Sequence, residues 1–194
     1  MKIAVILGST RPQTRLGERV AKFVMNETTK YSQAEFVYLD LRDYDLPFFN
    51  EERGPRGNKN RQPAENVSKW LGDISNADGY IFIVPEYNDG PSAALKNAID
   101  FLAFEATKKP AVIIGYSDGA NGGMYAPIQL RVTLGAVGMV ALKKQQIILS
   151  TNKIITEEGQ AIVEEKENLE KRFAALVEEL FWFTDALKVA REKN

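Results

Sequence analysis

Two short segments hold most of the groups able to grip a ligand. One is Gly8-Ser9-Thr10-Arg11-Pro12-Gln13-Thr14-Arg15; the other is Pro85-Glu86-Tyr87-Asn88. The first offers three hydroxyls and two forked guanidinium groups just ahead of a helical pattern that begins at Leu16 and Gly17. A helix N-terminus adds backbone N–H donors and a positive dipole end, so the segment suits a phosphate. The other reading of this stretch is an N-capping turn with solvated arginines. The second segment offers an aromatic ring from Tyr87, and the Asn88 amide and backbone N–H groups can match the acceptors along the edge of a flat heterocycle. Glu86 is ambiguous, since it can equally cap a turn or contact a partner subunit.

A third stretch, Gly115-Tyr116-Ser117-Asp118-Gly119-Ala120-Asn121-Gly122-Gly123, carries four glycines in nine residues. Glycine lets backbone come close to a flat ligand. Ser117, with Gly119 and Gly122 beside it, is positioned to bond a ring or ribitol oxygen; a plain flexible turn is the alternative. Neither GxGxxG nor GxxxxGK[ST] occurs, which argues against a dinucleotide-first site and against an ATP-binding loop. A mononucleotide is expected, with FMN the leading candidate.

Each segment follows an apolar run. Ile3–Leu7, Tyr80–Val84 and Ala111–Tyr116 are unbroken rather than alternating, as parallel strands covered on both faces require. Further strands are expected at Glu35–Leu39 and within Met139–Leu149. Helical spacing marks Leu16 onward, Pro63–Asn76, Pro91–Phe104, Met124–Leu134 and a long final helix from Glu158 to Ala190. Asp40–Gln62, with two prolines, two glycines and many charges, reads as a long surface loop. Alternating strands and helices predict an α/β three-layer sandwich with a five-stranded parallel sheet. The strand order 2-1-3-4-5, the flavodoxin-like order, puts the first two segments at one sheet edge beyond the strands' carboxyl ends. Residues 1–194 are expected to form a single FMN-binding domain.

Composition narrows the chemistry. The chain has 194 residues, with Lys plus Arg at 25, Asp plus Glu at 26, no histidine and no cysteine. The charge balance does not point to nucleic acid or a membrane surface. Thiolate metal sites, disulfides, cysteine nucleophiles and histidine bases are excluded, so no metal site is expected. No apolar stretch approaches the roughly 20 residues that span a bilayer. The first residues lack a signal-peptide pattern, so a cytoplasmic location is expected. In the last helix, Leu169, Phe173, Leu176, Leu180, Phe183 and Leu187 form a core face, while Val177, Phe181 and Trp182 widen the stripe, the surplus serving either a subunit interface or simply a larger docking face.

Taken together, Gly8-Ser9-Thr10-Arg11 with Arg15 and Gly17, Ala77-Asp78-Gly79, Pro85-Glu86-Tyr87-Asn88 followed by Leu95-Lys96-Asn97-Ala98-Ile99-Asp100, and Ser117 with Gly119, Gly122 and Gly123 resemble the NADPH-dependent FMN reductase family. That family includes flavin, quinone and chromate reductases and azoreductases. The resemblance covers residues 2–150 or so. It implies that Ser9, Arg11 and Arg15 hold the FMN phosphate, that Pro85, Glu86, Tyr87 and Asn88 line the ring, and that Ser117 and its glycine turn close the remaining side. Thr10, Thr14, Leu16 and Gly17 complete the expected cofactor-binding set. It also implies a homodimer or homotetramer. Two departures stand out: Asp89-Gly90 after Asn88, and Asn121 where the family often has histidine.

The implied reaction is reduction of a flavin, quinone, azo or metal-oxyanion acceptor by NADPH or NADH through bound FMN. Hydride transfer to a flavin needs no protein acid or base, so no side chain is singled out as catalytic. The loop Arg53-Gly54-Pro55-Arg56-Gly57-Asn58-Lys59 is a candidate for the NADPH phosphate, against the alternative of a solvated loop. A flavodoxin-type electron carrier without NAD(P)H reactivity is the competing function.

Overall fold

A computed structural model describes residues 1–12, 15–119 and 121–193. Five strands, β1 (Lys2–Leu7), β2 (Glu35–Asp40), β3 (Gly79–Tyr87), β4 (Pro110–Tyr116) and β5 (Val140–Ile148), pair in parallel. Their order is β2-β1-β3-β4-β5, as expected from the alternation of apolar runs and helices. A two-residue antiparallel arm, Gly90–Pro91, folds back on the end of β3.

Period-two alternation along the strands sends neighbouring side chains to opposite faces. Ala4, Ile6, Tyr80, Phe82 and Ile113 face a core closed by α2 (Glu65–Asn76), α3 (Ala93–Asp100) and α4 (Tyr125–Ala136), through Trp70, Ile99 and Leu130. Ile3, Val5, Ile81, Val112 and Ile114 face α1 (Leu16–Thr28) and the long α5 (Val163–Glu192), through Val20, Phe23, Phe173 and Leu176. Both faces of the sheet are therefore dry, and the unbroken apolar runs follow from that.

Several elements differ from expectation in their bounds or order. The helix expected at 91–104 occupies only Ala93–Asp100, because Pro91 pairs with Glu86 and Ser92 caps the helix by accepting from Leu95 N at 3.1 Å. The last helix starts at Val163, not Glu158. Gly159 adopts φ +78, and a bridge between Ile155 and Ala161 turns the chain first. The 40–62 stretch is better ordered than a surface loop: a 3-10 turn at Leu41–Tyr44 buries Leu41 and Tyr44, and another lies at Pro55–Gly57. In α5, Val177 and Phe181 join the core, whereas Trp182 remains 66% exposed. Among the described residues, no helix is long and apolar enough to cross a membrane.

At the amino edge of the sheet, Asp78 accepts from Lys2 N at 2.9 Å and from Lys188 Nζ at 3.0 Å, pinning the end of α5. Burial there lowers Lys109 to a pKa of about 8, with Arg191 adding to the effect. Above pH 8 the folded chain sheds this proton while the unfolded chain keeps it up to the ordinary value of 10.5, so Lys109 makes stability rise with pH across that window. The stability difference between wild type and Lys109→Met is expected to grow in favour of wild type from pH 7.5 to 10 in urea titrations. A flat difference would show that Lys109 titrates normally.

Candidate functional site

All three chemistry-bearing segments leave the carboxyl edge of the sheet, after β1, β3 and β4. The first is drawn tightly against β3. Gly8 N donates to Ile83 O at 2.9 Å, and a Cβ on Gly8 would stand 2.8 Å from Leu95 Cδ2. Ser92 Oγ donates to the Gly8 carbonyl, so the cap of α3 also ties the first loop to the segment after β3. Ser9 is buried, and its hydroxyl accepts from Arg11 N at 3.5 Å. Thr10 and Arg11 are exposed. Gln13 and Thr14 lie outside the described residues. Leu16 opens α1, and Gly17 packs so closely that a Cβ there would fall on the Tyr116 hydroxyl. Burial raises the Tyr116 pKa above the usual tyrosine range, opposed by its hydrogen bond with Ser9.

Arg15 and Arg11 take different places. Arg15 is the N-cap residue of α1, but its buried side chain makes no cap hydrogen bond to the helix. Its Nη1 donates to the Ser9 carbonyl and, at 3.2 Å, to Asp40 Oδ1; its Nη2 pairs with Asp40 Oδ2. Arg42 holds the same carboxylate through its backbone N–H at 3.0 Å and through Nη2 at 3.1 Å. Burial alone would raise Asp40, but the hydrogen bonds from Arg15 and Arg42 prevail and keep its carboxyl below the ordinary range. Arg11 has no carboxylate partner among the described residues. Its guanidinium lies over the Tyr87 ring, 5.4 Å from the centroid, and so joins the first segment to the second.

The second segment is a hairpin rather than a loose loop. Pro85, Glu86 and Tyr87 continue β3, and Tyr87 pairs with Gly90. Asn88 (φ 50) and Asp89 (φ 63) form the two-residue tip. Two successive left-handed residues are what a tight twisted hairpin requires, and Asn and Asp tolerate that conformation. Helix α4 braces the hairpin. Glu86 Oε2 accepts from Tyr125 N at 2.7 Å and Ala126 N at 2.9 Å, and Gln129 Nε2 donates to Asp89 O at 2.6 Å. The Glu86 side chain thus caps α4, one of the two alternatives its position offered.

In the third segment, Ser117 Oγ accepts from Gly119 N at 2.9 Å, and Gly122 N donates to Gly119 O at 3.1 Å. Gly122 and Gly123 are left-handed. A Cβ on Gly123 would meet the Tyr116 carbonyl at 2.7 Å and Glu86 Cβ at 3.1 Å, so this turn closes on the base of the hairpin. Ala120 lies outside the described residues. Beside Thr10 opens a cleft of about 440 Å³, with Leu41, Leu46, Phe48, Ala93 and Asn97 on its wall. Asn97 donates to Pro47 O and accepts from Phe49 N, each at 2.8 Å, and leaves Phe48 81% exposed. The loop at 53–59 sits apart: Arg56 donates to Ala103 O at 2.9 Å and stacks on Phe104.

The residues fit a mononucleotide. Arg11 is a cation without an acid, and the first turn of α1 has no side-chain cap among the described residues. An anion seated there would satisfy both. Gly8 and Gly17 lie where a side chain would force the backbone outward. Sequence reasoning missed Asp40, Ser92 and Asn97 as organisers of the site. Ser92 carried a readable signal, a serine just ahead of an apolar helical pattern. Asn97 stood only within the motif that carries the family resemblance, and Asp40 carried no signal beyond its place at a strand end. Among the described residues, no cluster of acidic side chains could hold a metal.

The sequence and the fold both have known counterparts. Residues 1–153 match the family of NADPH-dependent FMN reductases. An NAD(P)H-dependent FMN reductase of Schizosaccharomyces pombe is 34% identical over 155 residues, which are 79% of this chain and 76% of that protein. An NADPH azoreductase of a Bacillus species is 31% identical over 151 residues, 76% of each chain. The solved structure of the flavoenzyme NAD(P)H:(acceptor) oxidoreductase FerB of Paracoccus denitrificans aligns with a TM-score of 0.74 and 25% identity, covering 96% of this chain and 97% of that one.

Removing the carboxylate that caps α4 should loosen the hairpin's brace. Glu86→Ala is expected to lower stability by about 1 kcal/mol, the usual loss for an N-terminal cap. Equilibrium urea unfolding measures it, and an unchanged midpoint and slope would mean the cap contributes nothing.

Proposed function

The chain belongs to the NADPH-dependent FMN reductase family and is an FMN-dependent NAD(P)H oxidoreductase, and we propose that its cofactor lies along the carboxyl edge of the sheet, across the three segments. Its phosphate is held by Ser9, Thr10, Arg11 and the start of α1 at Leu16 and Gly17. Arg15 serves the same loop, and the expected contribution of Thr14 lies outside the described residues. Pro85, Glu86, Tyr87 and Asn88 flank the ring, with Glu86 acting through its backbone, and Ser117, Gly119 and Gly122 close the far side. The observation that carries this reading is the approach of Arg11, which has no acidic partner among the described residues, to Tyr87, beside a helix start that has no side-chain cap among them.

When bound, FMN would supply the redox chemistry between the reduced nicotinamide and the acceptor. The protein's own work is orientation and electrostatics. Arg11 and the helix start fix the phosphate end, the rigid hairpin fixes the ring's edge, and the open side leaves room for acceptors of several shapes. Flavins, quinones, azo compounds and metal oxyanions form the acceptor class we assign. A cytoplasmic location belongs to the same proposal, because the reaction draws on the reduced nicotinamide pool, and residues 1–194 act as one FMN-binding domain.

The assembly we assign is a homodimer or homotetramer built on α4 rather than on α5. Tyr125, Ile128 and Val132 recur at helical spacing on its outer face and are 44%, 51% and 76% exposed. This face adjoins the Glu86 and Gln129 contacts, so an interface there would steady the hairpin.

Three measurements test the reading. Anaerobic mixing of the FMN-loaded protein with NADPH should bleach the flavin absorbance rapidly; bound but unbleached FMN would favour an electron carrier. Arg11→Ala should weaken FMN binding by about 1.5–3 kcal/mol, the range for charge-assisted hydrogen bonds. Unchanged affinity in a fluorescence titration would refute the phosphate assignment. Ile128→Glu should convert the assembly to monomers in light scattering, and an unaltered mass would move the interface elsewhere.

A further inference from the structure

Asp40 lies on β2, outside all three segments, yet its carboxylate organises the first of them. It receives the Arg15 guanidinium end-on through both η nitrogens, the Arg42 backbone N–H at 3.0 Å, Arg42 Nη2 at 3.1 Å and the Tyr38 hydroxyl at 3.4 Å. The Arg15 and Asp40 side chains are only 1% and 5% exposed, so neither charge has water to fall back on. Held this way, Arg15 directs a second Nη1 hydrogen to the carbonyl of Ser9. One side chain thereby links Ser9, near the start of the loop, to the N-cap position of the helix that follows it. Glu18 Oε2, the other acid near Arg15, stands 4.0 Å from its Nε and cannot replace this fork.

We propose that Asp40 is a positioning residue for the phosphate loop: by fixing Arg15 as a staple between Ser9 and the start of α1, it shapes the loop that receives the FMN phosphate. Arg15 serves the phosphate through loop geometry, and Arg11 through direct charge. The proposal rests on the reading that this loop holds the phosphate of FMN.

The test compares FMN with riboflavin, which has the same ring and ribityl chain but no phosphate, by quenching of flavin fluorescence. Wild type should bind FMN much more tightly than riboflavin. Asp40→Asn, close in shape but without the charge, should weaken FMN binding by about tenfold or more, as expected for a lost charge-assisted pair, while leaving riboflavin within about twofold. Equal loss of both ligands would mean that Asp40 only supports the fold, and no loss of either would remove its role. If wild type fails to prefer FMN, the phosphate-loop reading itself falls, an outcome distinct from both. Should Asp40→Asn fail to fold, Arg15→Lys makes the same comparison. It keeps the positive charge but cannot fork to Asp40 and Ser9 together, so selective loss of FMN supports the staple. Full retention of FMN affinity in that variant would overturn it.

Discussion

The parallel placement of β1 between β2 and β3 is the constraint from which the rest of the site follows. Strands that run the same way release their outgoing segments at one edge, so the loop after β1 must lie beside the end of β2 and the hairpin that ends β3. Gly8 is where this crowding is greatest. Its N–H is taken by Ile83, its carbonyl by Ser92, and the space of its missing side chain by Leu95. A larger residue would push the loop off β3 and part the first segment from the second.

Crowding of this kind needs a rigid support, and the two dry cores provide it. Phe173 packs edge-on against Phe23 on one side, while Trp70 is fully buried on the other and donates to the Ala98 carbonyl at 2.8 Å. Helices on each side lock the strand ends in place, so the loops inherit little freedom. Charges enter these surroundings in paired form. Arg15 with Asp40 and Arg61 with Glu51 are both forked, which suits the planar geometry of guanidinium and carboxylate.

Legibility from sequence followed the range of the interactions. The strands at Ile3–Leu7, Tyr80–Val84 and Ala111–Tyr116 and their order could be read because burial on both faces leaves an unbroken apolar run. The placement of the segments after the first, third and fourth strands at one sheet edge could be read because each follows one of these runs. What could not be read joined distant parts of the chain. The Asp40–Arg15 pair spans 25 residues, and the Glu86 contacts to the start of α4 span 39 and 40. No periodicity records such pairings. The hairpin tip at Asn88-Asp89 escaped for a different reason: its left-handed pair lacks the glycine that normally announces such a turn.

The way Asn97 holds the neighbouring segment has an evolutionary consequence. Both of its hydrogen bonds go to main-chain atoms, of Pro47 and Phe49, and none depends on the side chain of Phe48 between them. The backbone path along the cleft is therefore insulated from the identity of residue 48. A population of variants can sample polar, charged or aromatic groups at that lip with little loss of folding stability, because an exposed side chain contributes little to the core. Positions of this kind let the chemistry of the cleft's lip vary while the backbone that shapes it stays fixed.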